Sequence, residues 1–176
     1  MRLPLALAGL FCAAVCAAEP TSIPHLRAEH PRLIAPADAW QRLATRRTAE
    51  PALAAYHDAL IEAARKELNA KPVTYVKIGR RLLFVSREAL QRVLLLAYAW
   101  RTTGEEAFAR RAETEMLAAA AFADWNPSHF LDVGEMTAAL ALGYDWLQPA
   151  LSPEARASIR EAILKKGLQP GLAVIK

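Results

Sequence analysis

Cysteine is almost absent from this sequence of 176 residues. Both cysteines, Cys12 and Cys16, lie within the first 18 residues, inside an apolar N-terminal segment. If that segment is removed, the remaining chain has no thiol, so it can have neither a disulfide framework nor a cysteine-based catalytic or zinc site. The sequence also lacks a glycine-rich phosphate loop and the Gly-x-Ser-x-Gly turn of serine hydrolases, which argues against nucleotide-dependent and serine-hydrolase chemistry.

A strong charge of one sign is also missing. Lysine and arginine together number 22 against 18 Asp and Glu, which gives a net charge of +4. The basic doublets are far apart in the chain, at residues 46–47, 80–81, 110–111 and 165–166. Nucleic-acid binding needs basic residues that cluster with aromatic ones, so we expect no nucleic-acid partner. Attraction to an acidic polymer is compatible with this mild charge.

The N-terminal segment has the three-part layout of a secretory signal peptide. Arg2 precedes an apolar run from Leu3 to about Val15, and small residues follow up to Ala18. This run is too short to span a bilayer. We therefore expect cleavage of residues 1–18, which leaves 21 basic and 18 acidic residues. The mature protein is predicted to be periplasmic or secreted, with no membrane anchor.

After a proline-rich, extended lead-in at residues 19–36, helical patterns dominate the chain. Several segments have apolar residues three and four positions apart, which predicts amphipathic helices with one face in the core. The last of them has signals at both ends, because Ser152 stands before Pro153 and Gly167 follows a basic turn. The predicted amphipathic helices are residues 38–47, 51–68, 105–123 and 153–166.

Two other helical segments are apolar on almost every side. One is residues 92–100, within a helix that runs from a predicted N-cap at Ser86 to Gly104, and the other covers residues 131–147. A helix with no polar face packs on more than one neighbour, so both should lie inside the fold. The alternation of the two helix types over residues 37–176 predicts an all-α fold of antiparallel hairpins in two concentric layers, with a compact bundle as the alternative. Residues 72–86 favour an extended or hairpin-like excursion.

A polar cluster precedes the second apolar helix, in the stretch FADWNPSHFLDVGEM at residues 122–136. At 3.6 residues per turn, His129, Asp132 and Glu135 fall within an arc of about 120° and can share one face. Trp125 offers a ring face, and Asn126, His129 and Glu135 offer donors and acceptors. These four residues, Trp125, Asn126, His129 and Glu135, are candidate contacts to a carbohydrate.

Other interpretations of this cluster stay open. A His with two carboxylates can bind a metal, but this spacing matches no strong metal motif, and we predict no metal site. Asp132 and Glu135 could form an acid/base pair that hydrolyses glycosidic bonds. The cluster could instead be structural, with Asp132 capping the helix and Glu135 near its positive end.

A second polar pair, Tyr144 and Asp145, lies near the end of the same segment, in the phrase GYDWL. In a regular helix Tyr144 lies with the apolar face and Asp145 points away from it. We therefore expect Asp145 to pair with a neighbouring arginine rather than to do chemistry.

Four segments together resemble a known family: residues 30–34, 81–116, 122–147 and 151–170. In order and distance they look like the N-terminal helical domain of heparinase II/III-like polysaccharide lyases, a group related to alginate lyases. The phrases WNPSHFLD and GYDWL are the most specific parts of the likeness. The resemblance implies an (α/α) toroid, a double layer of helical hairpins around a cleft, which a β-sandwich domain follows in full-length members.

The resemblance also implies an activity. These enzymes cleave uronic-acid-containing polysaccharides by β-elimination, without a redox cofactor. A base removes the proton beside the carboxylate, a neutral or positive group offsets the carboxylate charge, and an acid protonates the leaving oxygen. The catalytic Tyr and His of the family lie further along its helical domain, so the resemblance assigns no catalytic residue in this chain. It implies that Trp125, Asn126, His129 and Glu135 belong to the cleft wall.

We therefore expect the N-terminal part of an exported polysaccharide lyase, truncated and inactive by itself, with an acidic polysaccharide as its substrate. The rest of the toroid and the β-sandwich domain would be its missing parts. The alternatives are a non-catalytic helical module that binds acidic glycans and a glycoside hydrolase on an (α/α) barrel.

Overall fold

The computed structural model describes residues 27–175. The predicted signal peptide, residues 19–26 of the lead-in and Lys176 lie outside the described residues. Seven α-helices and one π-helical segment make up most of the described chain, in which the β-type pairing is a single bridge between Ile78 and Arg81. The predicted all-α class is confirmed. Within residues 27–175, no helix has the length and apolar character needed to cross a membrane.

The longest connections are residues 68–82, between α2 and α3, and residues 121–129, between α4 and α5, and the π-helical segment continues α6 into α7 without a break. The bounds are α1 Ala37–Ala49, α2 Pro51–Glu67, α3 Leu83–Thr103, α4 Glu106–Ala120, α5 Phe130–Leu147, α6 Pro153–Ala162, the π-helical segment Ile163–Leu168 and α7 Gln169–Val174.

The two all-apolar segments, α3 and α5, form the centre of the fold and have the largest contact with each other. None of the residues 92–100 in α3 and 135–147 in α5 is exposed, which confirms that these parts of the two segments lie inside. The start of the second segment reaches the surface, since Leu131 is 51% exposed. The helices α2 and α4 pack on α3, and the π-helical segment packs on α5. Helix α1 lies at the surface, since it contains no buried residue.

A glycine sets how closely α3 and α5 approach each other. A Cβ atom at Gly143 would lie 2.4 Å from Cγ1 of Val93 and 2.9 Å from the sulfur of Met116. Both neighbours belong to the buried core. Gly143 therefore leaves the space that these two side chains fill.

The loop between α2 and α3 turns back on itself at Gly79, whose φ of +61° is in the left-handed region. Ile78 and Arg81 exchange two backbone hydrogen bonds across this turn, of 2.9 and 3.2 Å. The predicted hairpin-like excursion is confirmed at residues 78–81, but residues 83–86 of the predicted range are helical. The predicted N-cap at Ser86 is wrong because α3 begins at Leu83. Ser86 lies within α3, where its side chain is buried and its hydroxyl donates to the Glu135 carboxylate of α5.

Of the other predicted helix ends, two are right and one is wrong. Gly104 ends α3 in the left-handed conformation, and the Ser152 hydroxyl caps α6 by accepting from the N–H of Ala155 at 3.1 Å. Gly167 does not end a helix, since the chain stays helical to Val174. Glycine is needed at position 167 for close packing on α5, because a Cβ there would lie 2.5 Å from the hydroxyl of Thr137.

Candidate functional site

The predicted polar cluster lies where the turn before α5, the first turns of α5 and the loop before α3 meet. We call this region the polar junction, made of residues 77–82 and 124–135. The chain enters it with Asn126 at a φ of +56°, a left-handed conformation that asparagine tolerates better than most residues. Pro127 follows, and α5 then begins at Phe130.

Asp132 is the centre of the polar junction and is completely buried. Its carboxylate accepts hydrogen bonds from the backbone N–H of Leu82 at 2.7 Å, from the Asn126 amide at 2.7 Å and from Nδ1 of His129 at 2.8 Å. Burial, the largest single influence, acts to raise the pKa of Asp132, but these hydrogen bonds together hold that pKa below its usual value of 3.8. The carboxylate is therefore ionised at neutral pH.

The predicted role of Asp132 as a helix cap is wrong. The N-cap residue of α5 is His129, which makes no side-chain cap hydrogen bond, and Asp132 lies in the first turn. Its carboxylate reaches across to the backbone N–H of Leu82 instead. That N–H lies just before α3 and needs an acceptor because it is buried.

Two of the four predicted substrate contacts lie in the interior. The indole of Trp125 is completely buried and donates to the carbonyl of Ala119 at 3.0 Å. Stacking of a sugar on Trp125 would require this ring to leave the core. The buried amide of Asn126 donates to the Arg80 carbonyl and to Asp132, and its oxygen accepts from the hydroxyl of Ser128. Both residues support the polar junction from inside.

The other two predicted contacts, His129 and Glu135, reach the surface in part. The side chain of His129 is 21% exposed, and its Nδ1 donates to the Asp132 carboxylate at 2.8 Å, so the ring is held through Nδ1 and Nε2 is the nitrogen left for another partner. Glu135 is 16% exposed and accepts from the Ser86 hydroxyl at 2.7 Å and from the Arg87 guanidinium at 3.1 Å.

Basic side chains surround this surface. The guanidinium of Arg80 donates to the Ser128 carbonyl at 3.4 Å, and Arg87 pairs with Glu135. Lys77 is close enough to Asp124 to contribute to its lowered pKa, although the hydrogen bonds from the Asn126 N–H and from Tyr75 contribute more. We call Lys77, Arg80 and Arg87 the basic rim of the polar junction.

The other end of α5 holds a second His–Asp pair, which the sequence did not reveal. Asp145 is buried and accepts from Nδ1 of His30 at 2.6 Å and from the backbone N–H groups of Arg32 and Leu33 at 2.7 and 2.8 Å. The prediction that Asp145 points away and pairs with an arginine side chain is wrong. The lead-in folds over the end of α5, and its turn brings N–H groups that need an acceptor.

His30 stands in the phrase HPRLI, residues 30–34, and Asp145 stands in GYDWL. The two residues are 115 positions apart, so only the folded chain shows that they pair. Tyr144 lies beside them, with its ring edge-on to His30 at a centroid distance of 6.1 Å.

Among residues 27–175, no three His, Cys, Asp or Glu side chains gather as ligands of a metal ion. What reaches the surface of the polar junction is the ring of His129, the carboxylates of Asp124 and Glu135, and the cations of the basic rim and Arg81. No family model matches the chain, and no curated protein matches it.

Proposed function

We propose that this chain is the N-terminal part of the helical domain of an exported polysaccharide lyase. Its substrate would be a uronic-acid-containing polysaccharide, cleaved by β-elimination. In this proposal the helices belong to an (α/α) toroid, and the polar junction forms part of the wall of its cleft. Further hairpins and a β-sandwich domain would complete the enzyme.

One observation carries the proposal: the segment WNPSHFLD holds the partly exposed ring of His129 in a fixed position beside the basic rim. His129 is held from behind by Asp132, and the guanidinium of Arg80 touches the carbonyl next to it. A polymer with repeated carboxylates is attracted to such a surface, since the rim brings positive charge to groups that can donate and accept hydrogen bonds.

The arrangement also suits the charge that β-elimination develops. A base takes the proton from the carbon beside the uronate carboxylate, the electrons of that bond form a carbon–carbon double bond, and the glycosidic oxygen leaves with a proton from an acid. Negative charge grows on the uronate carboxylate, and nearby guanidinium groups would stabilise it. We assign His129, Glu135 and the basic rim to substrate contact, with Trp125 and Asn126 as their buried support.

The structure bears on the two alternatives differently. The acid/base pair of a glycoside hydrolase would need Asp132 at the substrate, but Asp132 is completely buried and already has three hydrogen-bond donors. A non-catalytic module that binds acidic glycans is a stronger second candidate. It needs only the basic rim and the accessible ring of His129.

Binding of a polyuronate to the mature chain tests the proposal. Arg80→Ala and His129→Ala should each weaken binding about tenfold, which corresponds to about 1.4 kcal/mol. Arg110→Ala is the matched control, because Arg110 is an exposed arginine on α4, away from the polar junction. An absence of binding by folded protein would contradict both the lyase and the binding module.

Product analysis in the same samples separates a hydrolase from the other candidates. A rise in the ultraviolet band of unsaturated uronates would show a complete lyase site within these residues. New reducing ends without that band would indicate a hydrolase and contradict the proposal. Saturable binding with neither product is the result expected both of the N-terminal part of a lyase and of the binding module.

A further inference from the structure

A separate depression lies at the opposite end of α5 from the polar junction. It has a volume of about 280 Å³ and opens between the end of α5 and α6. Its lining consists of Tyr144, Gln148, Pro153, Arg156, Ala157 and Arg160, which includes two cations and no acidic residue. Among residues 27–175 the Tyr144 hydroxyl and the Gln148 amide have no hydrogen-bond partner, so their donors are free for a ligand.

The two arginines of this depression lack the partners that would normally neutralise them. Arg156 and Arg160 are one helical turn apart, so their side chains share a face of α6 and their charges repel each other. The acidic residue next to Arg160 is Glu161, but it pairs with Lys165 at 2.6 Å. Within the described residues neither guanidinium forms an ion pair. The repulsion would be relieved by an anion placed between them.

We propose that this depression binds one anionic group, a carboxylate or a sulfate ester, of an acidic polysaccharide. A guanidinium presents two parallel N–H groups that match two oxygens of either anion, and the Tyr144 hydroxyl and the Gln148 amide add further donors. The volume is at the small end for ligand sites, which suits one charged sugar rather than a length of polymer. Only the choice of polymer class rests on the function proposed above.

The site is distinct from the polar junction. Tyr144 follows Asp132 by 12 residues along α5, which corresponds to roughly 18 Å at 1.5 Å per residue.

Nuclear magnetic resonance titration of the mature chain tests the inference. Sodium sulfate and a tetramer of galacturonate serve as separate probes, with sodium chloride holding the ionic strength constant. The Nε–H signals of Arg156 and Arg160 should shift saturably with at least one probe, and the probe that acts identifies sulfate or carboxylate as the group. Arg156→Gln should weaken the shift at Arg160 at least fivefold, and Tyr144→Phe by a smaller factor.

The control variant is Arg110→Gln, which removes the same charge from α4 and should leave the titration unchanged. Equal weakening by Arg110→Gln and Arg156→Gln would show a general charge effect and overturn the inference. An absence of saturable shifts with both probes would overturn it too. Neither result touches the proposed function, which depends on the separate effect of Arg80→Ala on polyuronate binding.

Discussion

The two ends of α5 are built alike but hold different parts of the chain. Each has a buried aspartate that accepts from a histidine Nδ1 and from the backbone of an irregular segment, through one N–H at Asp132 and through two at Asp145. At the N-terminal end that segment is the loop between α2 and α3, in the middle of the chain. At the C-terminal end it is the part of the lead-in that comes before α1. The same motif therefore joins core elements at one end and fastens a peripheral segment at the other.

We expect the largest difference in stability between the two ends of α5 when each buried aspartate is replaced by asparagine. Asp132→Asn puts an amide N–H against groups that are themselves donors, so we expect the free energy of unfolding to fall by about 3–5 kcal/mol. Asp145→Asn should cost about 1–3 kcal/mol, since the lead-in can open while the helices stay folded. Urea unfolding followed by circular dichroism gives both values.

Hydrogen exchange checks the local part of this comparison. In Asp145→Asn the amides of residues 30–36 should exchange faster while those of α3 and α5 keep their protection. Equal global losses in the two variants, with no local opening of the lead-in, would show that the two ends are equivalent.

Gly134 and Gly143 lie near opposite ends of α5. We expect their replacement by alanine to change the stability of the fold in opposite directions. Gly143→Ala brings a methyl group against Val93 and Met116 and should destabilise the fold by about 1–3 kcal/mol. Gly134→Ala meets no atom within 4 Å and should stabilise α5 by about 0.5–1 kcal/mol. Thermal melts of the two variants beside the wild type measure both effects. A loss at Gly134 would mean that the start of α5 is more crowded than this structure shows.

We also expect the two ends of α5 to lose stability in different pH ranges. Near the C-terminal end, His57 contacts Arg47 and Tyr98, and burial, followed by the charge of Arg47, lowers the pKa of His57 below 6.5. The unfolded chain then takes up a proton more readily than the folded one, so stability falls as pH drops below about 6.5 toward the folded-state pKa. The variant His57→Gln should show a flatter stability profile in that range.

At the N-terminal end of α5 we expect the loss of stability at lower pH. Asp132 has a pKa below 3.8 in the folded state, so its contribution is present above that pH and is lost as pH falls through the lower folded-state pKa. Acid unfolding of Asp132→Asn should lack this component. Tryptophan fluorescence follows both steps, because Trp40 packs on Tyr98 and Trp146 near one end and Trp125 is buried near the other. A single transition that neither variant alters would contradict this order of events.

The smallest effect is expected at the surface of the polar junction. Arg87 is 60% exposed where it pairs with Glu135, so Arg87→Ala should cost at most about 1 kcal/mol and less at high salt. Denaturant unfolding at two salt concentrations measures it. A loss that is large and independent of salt would show that Glu135 depends on this partner for its position.

Local sequence determined the helices and several of their ends. Spacings of three and four residues predicted the amphipathic helices, and the lack of a polar face predicted that α3 and α5 lie inside. Gly104 and Ser152 act through their own backbone or side chain within one turn, so their roles could be predicted without knowledge of the rest of the fold.

The tertiary structure alone decided what each polar or small residue faces. The burial of Trp125, the partners of Asp132 and Asp145, and the packing role of Gly167 all depend on atoms brought from segments tens of residues away. A pattern with a period of 3.6 residues gives the direction in which a side chain leaves its helix but not which segment lies in that direction. The sequence therefore determined in which direction each polar side chain leaves α5. The packing of the α2–α3 loop and of the lead-in against α5 decided which of these side chains are buried with partners and which lie at the surface.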